Sequence, residues 1–150
     1  MKRQRSTAII LICLATLAAA SLNAATIPVG TMLTVSTVSL ISSQAVVGRS
    51  FEAKLAQDVP VRGNVVLRAG TKVFGKITSS RANPRRSGPL AIELASIEAN
   101  GRRIPVKTDE ITPTAPPRTA RQARHGHTAG TTVVNPGTRL QFQLLQAVTL

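Results

Sequence analysis

The stretch VVLRAGTKVFGKI (65–77) decides the fold. Two apolar runs flank Ala69-Gly70, Val65-Val66-Leu67 before it and Val73-Phe74 with Ile77 after it. Short apolar runs bounded by turn residues read as strands, so the stretch predicts two strands joined at a tight turn. Gly75 interrupts the second strand, where an isolated glycine marks a bulge or a close backbone approach.

The Gly-Thr step inside this stretch occurs three times, in IPVGTMLTV (27–35), LRAGTKVFG (67–75) and VNPGTRLQF (134–142). Aligned on Gly30, Gly70 and Gly137, the residue three before glycine is Ile27, Leu67 or Val134, and the residue three after it is Leu33, Val73 or Leu140. Asn135-Pro136-Gly137-Thr138 fits a type II turn, in which proline presets φ and glycine accepts φ > 0. The other two copies fit the same turn less strictly. A phosphate-cradling loop feeds a helix N-terminus, whereas each of these glycines feeds a strand. Gly30, Gly70 and Gly137 are therefore expected to be structural turns.

Outward from the repeats, TMLTVSTVSL (31–40) and FEAKLAQDV (51–59) have strand character. LAIELASIE (90–98) alternates Leu90, Ile92 and Leu94 before Asn100-Gly101, a strong hairpin signal because both residues tolerate positive φ. A helical period also fits 91–98, but the returning strand RRIPVKTDEI (102–111) favours the hairpin. Pro105 lacks an N–H for a ladder, which puts that strand at an edge. The fold class expected is all-β, a small barrel or sandwich of about seven strands, preceded by a signal helix.

Lys2, Arg3 and Arg5 precede an apolar core at 8–20 and the small residues of AAASLNAAT, the layout of a secretory signal. The apolar run is short for a bilayer span, which needs roughly 20 residues. Cleavage is expected after Ala24 or Ala25, with Ala20 as an alternative. No integral membrane span would then remain in the mature chain. Cys13, the only cysteine, would leave with the signal, so neither disulfides nor thiolate chemistry are expected. The organisation expected is a signal peptide (1–25), a β-domain (26–111), a flexible basic Pro/Arg linker (112–130) and a C-terminal strand docking on the β-domain (131–150). The linker carries prolines and arginines but no large apolar residue, and cannot offset its ordering entropy by burial. Such a chain is expected in the periplasm or secreted.

Charge narrows the partners. The whole chain carries a formal +13; without Lys2, Arg3 and Arg5 it keeps 16 basic residues against 6 acidic, about +10. Outside the cytoplasm such a surface meets anionic polymers, lipids or acidic proteins. Single-strand nucleic-acid binders use exposed rings on which bases stack. The three aromatics, Phe51, Phe74 and Phe142, fall in apolar strand patterns, so composition argues against nucleic acid. Candidate anion-binding residues are Arg81, Arg85 and Arg86 in one loop and Arg102 and Arg103 beside the hairpin turn, arginine being suited to bidentate contact with phosphate or carboxylate.

The remaining chemistry is thin. His125 and His127 are a lone pair in the linker, short of the three or four ligands of a closed metal site, so no metal and no cofactor is expected. Acid–base catalysis needs a positioned pair of groups tuned by their surroundings. Glu52, Asp58, Glu93, Glu98, Asp109 and Glu110 instead lie among lysines and arginines that they screen. Both histidines lie in the linker, so no nucleophile–base set stands on ordered strands. The expectation is a non-enzymatic envelope protein, an interaction or assembly module, with binding of anionic polymers or lipids through arginine loops as the alternative. A small hydrolase ranks last.

IPVGTMLTVSTVSLISSQAVVGRSFEAKLAQDV (27–59), followed by VVLRAGTKVFGKI, resembles the layout of uncharacterised bacterial exported β-domain proteins with IPAGT-type repeats. It is more distantly similar to the periplasmic β-domain of TrbI-type scaffold proteins of type IV secretion systems. The resemblance covers 27 to about 108, with 134–150 as a closing strand. It implies a non-catalytic, barrel-like envelope module. The chain departs from the secretion scaffold in its cleavable-type signal and in a Pro/Arg linker where the scaffold carries a pore-forming helical insertion.

Overall fold

The structure, a computed structural model, describes residues 24–82, 88–114 and 131–150. It is all-β, and among the described residues there is no helix. Of the proposed signal segment 1–25, only Ala24 and Ala25 are described; the stretch 115–130 of the linker also lies outside the described residues.

Among the described residues, twelve strands form one curled antiparallel sheet and three short ribbons. The sheet contains β2 (Met32–Thr37), β4 (Ser50–Leu55), β7 (Lys72–Ser79), β8 (Ala91–Ala99), β9 (Arg102–Pro105) and β11 (Arg139–Gln143), in the order β11-β2-β4-β7-β8-β9. The ribbons pair β1 (Thr26–Ile27) with β12 (Val148–Thr149), β5 (Val59–Val61) with β6 (Asn64–Leu67), and β10 (Val133–Val134) with β3 (Ile41–Ser42). The count exceeds the seven expected because the Gly-Thr corners split long ladders into a sheet part and a ribbon part.

All three corners are built alike. Gly30, Gly70 and Gly137 have φ of 85°, 85° and 87°, the left-handed region that glycine enters without steric cost. The following threonine hydroxyl donates to the carbonyl three residues back: Thr31 to Pro28 at 2.7 Å, Thr71 to Arg68 at 2.6 Å, Thr138 to Asn135 at 2.7 Å. The glycine N–H crosses to a neighbouring strand, donating to the carbonyls of Leu144, Leu55 and Thr37, each at 2.7 Å. Those three residues return their own N–H to the carbonyls of Thr31, Thr71 and Thr138 at 2.9, 2.9 and 3.0 Å. Glycine supplies the bend and threonine ties it, which is why the two travel together.

The clipped strand bends as well. Four residues after Leu144, Leu55 and Thr37 come Val148, Val59 and Ile41, all buried and paired with Ile27, Leu67 and Val134, the residues three before each glycine. Two of these bends read LLQAV (144–148) and LAQDV (55–59), a second repeat that answers the first.

The curled sheet is bridged beyond β9. The Val106 N–H donates to Ala95 O, Ile111 and Ile92 exchange bonds at 3.0 Å, and Thr108 Oγ1 accepts from the Leu94 N–H at 3.0 Å. From the same segment, the Asp109 N–H donates to Gln143 O and the Leu145 N–H donates to Lys107 O, both at 2.9 Å. Residues 106–111 thus join β8 to the far edge strand β11, giving a barrel-like closure around Leu33, Val35, Ala53, Val73, Ile92, Leu94, Ile97 and Phe142.

β8 carries core residues on both phases because its register slips opposite Phe74 and Gly75, where Gly75 pairs with Leu94 and Phe74 with Ser96. Ile92 and Leu94 point inward before the slip, Ile97 after it. This three-residue step is what lends 91–98 its helical look, and a bulge is its cause. Asn100 and Gly101 both have positive φ (51° and 71°), and the predicted hairpin pairs Ala99 with Arg102. Arg62-Gly63 repeats the device, at φ 52° and 84°, between β5 and β6. β9 is the outer strand of the sheet, the position that Pro105 requires.

Candidate interaction surface

Strand directions sort the arginines. β8 is nine residues long, about 30 Å. Arg81 lies on the connection before it and Arg102 and Arg103 begin β9 just after the turn that follows it, so these residues stand at opposite ends of the sheet. Arg81 is exposed and its N–H donates to Ser43 O at 2.9 Å. Arg85 and Arg86 lie outside the described residues, as do His125 and His127. The described members of the candidate set therefore form no single patch.

Arg102 and Arg103 also part company, because successive residues of a strand face opposite ways. Arg103 places its guanidinium carbon 4.0 Å from the centroid of the Phe74 ring, on the outer face. Stacking on a ring suits a planar cation and holds the side chain against the sheet. Arg102 faces the other way, into a groove of about 460 Å³ lined by Ala24, Ala25, Val66, Ala99, Asn100, Ile104 and Leu150. The groove opens where β9 parts from the β1–β12 ribbon, beside which the Leu150 N–H donates to Ala25 O at 2.9 Å. Its lining is mostly apolar, and among the described residues Arg102 supplies its one charged side chain. Sequence reasoning missed this groove because its walls come from four separate stretches.

The acidic residues have structural partners. Asp58 Oδ1 accepts from the Ala69 N–H and Asp109 Oδ1 from the Gln143 N–H, each at 2.7 Å, so both tie loops. Glu93, only 8% exposed in its side chain, lies between Lys76 at 3.0 Å and Lys107 at 2.8 Å. Burial alone would raise its pKa, but the hydrogen bonds and charges of Lys107 and Lys76 outweigh that and hold it below the ordinary glutamate value of 4.5. A depressed folded-state pKa stabilises the fold above the unfolded value, and that stability is lost as pH falls through the folded one. Glu93→Gln is expected to cost about 1–2 kcal/mol at pH 7, both lysines being half-exposed and screened. The gap to wild type should close as the pH drops below about 4.5; urea midpoints at pH 7 and pH 3 check this, and a gap independent of pH would refute it.

Among the described residues no three metal-ligating side chains cluster, and no helix is long and apolar enough to cross a membrane. The class defined is a small antiparallel barrel-like domain with a cation-bearing apolar groove at one end. No protein-family model and no curated protein matches the chain.

Proposed function

We propose that this chain is an exported protein of the bacterial envelope, periplasmic or secreted, that works by binding rather than by chemistry, as an interaction or assembly module. The observation that supports the reading is the groove at Arg102, an apolar floor to which Val66, Ala99, Ile104 and Leu150 contribute beyond the signal segment, with one charged side chain beside it, the make-up of a binding cleft. The signal-like N-terminus and the positive balance of the chain agree with it.

A second reading, adhesion to anionic polymers or lipids through arginine-rich loops, draws on a different end. Arg49 before β4, Arg81 after β7 and Arg139 at the start of β11 are exposed where those strand ends meet. One experiment separates the two. A photo-crosslinking residue at the exposed turn position Asn100 is expected to trap one discrete partner in the native envelope, unchanged by salt. Sedimentation of the protein with anionic vesicles that vanishes with salt, and no discrete adduct, would overturn the first reading in favour of the second.

A further inference from the structure

Resting on the interaction reading, we infer that the free edge of β9 takes an added strand from a partner protein, an extended acidic segment whose side chains enter the Arg102 groove. The hairpin geometry dictates what the edge offers. Ala99 and Arg102 flank a two-residue turn and form a hydrogen-bonded pair, so Arg103, opposite Glu98, forms the next, non-bonded pair. The N–H and C=O of Arg103 are thereby directed away from β8, and so is the C=O of Pro105. Among the described residues no strand is hydrogen-bonded on that side. The edge thus presents one donor and two acceptors, enough for a short antiparallel addition that ends at Pro105.

Side-chain positions then follow from the pleat. The partner residue opposite Arg103 faces outward, beside the Arg103–Phe74 stack. The residues opposite Ile104 and Arg102 face the groove. An antiparallel partner therefore meets the groove with an apolar residue against Ile104 and, two positions later, a carboxylate against Arg102. A second copy of this chain is a poor occupant. Pairing β9 with itself about the free Arg103 would set like charges opposite one another, which disfavours the ladder. The same two arginines favour an acidic strand.

The test uses the full chain, which keeps the Ala24 and Ala25 that line the groove, and a fluorescent, end-capped Thr-Val-Thr-Glu-Thr-Val-Thr peptide, read by anisotropy. Binding should saturate, weaken about tenfold with Arg102→Glu, and weaken about tenfold when glutamate is replaced by lysine. Arg103→Pro removes the one edge donor together with the Arg103–Phe74 stack, and should lower the melting temperature slightly and lose binding; Arg103→Gln, which loses the stack but keeps the N–H, should lower it alike and retain most of the binding. A peptide N-methylated at alternate residues should not bind. Equal binding of the N-methylated peptide, or no binding of the parent peptide, overturns the strand-addition inference. So does vesicle binding that Arg102→Glu abolishes and the peptide cannot compete. A discrete crosslink at Asn100 with any of these outcomes leaves the interaction reading standing, whereas loss of both would sink both.

Discussion

Phe142→Ala is expected to destabilise the protein by about 3–5 kcal/mol, a large part of the 5–15 kcal/mol that holds a domain of this kind. Phe142 is fully buried and heads the fully buried side chains by size. It sits in β11 opposite Leu33 of β2. β11 is also the strand through which residues 106–111 complete the barrel, by the Asp109–Gln143 and Lys107–Leu145 bonds. Truncating the ring removes core volume at the seam of the closure, where the surroundings can collapse only partly. Urea unfolding with an unchanged m-value is the measurement, and a loss below about 1 kcal/mol would show that 131–150 is an accessory rather than part of the core.

Gly75→Ala is the second large effect, and its cause is contact rather than φ. Gly75 lies directly opposite Phe51 across the β4–β7 ladder, and the Phe51 ring covers it. A Cβ at Gly75 would fall inside that ring, so the ring or the backbone must move. Overpacking of this kind costs about 1–3 kcal/mol or more. The decisive measurement is a double-mutant cycle. Once Phe51→Ala has removed the ring, adding Gly75→Ala should cost almost nothing, giving a coupling of about 2 kcal/mol. Additive effects would mean that the glycine is needed for some reason other than the aromatic lying over it.

These two positions show how differently the chain discloses its parts. That Gly75 marks an irregularity is legible from its place inside the strand run of 72–77. That the irregularity is both a register slip against β8 and a seat for Phe51 is not, because each depends on a strand distant in sequence. The Gly-Thr corners are legible as turns from Pro136-Gly137 alone. The bends that answer them, LLQAV and LAQDV, are as visible in the letters, yet nothing local says that they are clipped by the corners. Arg62 at φ 52° is not legible for a related reason, since a left-handed arginine is tolerated only because the β5–β6 hairpin holds it there.

The site divides along the same line. Arginine beside the hairpin turn is a matter of sequence, as is the excess of positive charge. The pleat decides that Arg102 faces an apolar groove while Arg103 lies on Phe74, and strand direction decides that Arg81 is far from both. Glu93 looks like any carboxylate between apolar neighbours until β7 and the closing segment bring Lys76 and Lys107 to it.

By itself the amino-acid order determined the strand class, the tight turns and the edge position of β9, because period-two patterning, glycine φ and the missing proline N–H act within a few residues. Tertiary structure alone decided the barrel closure, the groove and the pairing of its charges. Those require hydrogen bonds and packing between segments as far apart as Ala25 and Leu150, whose meeting no local preference encodes.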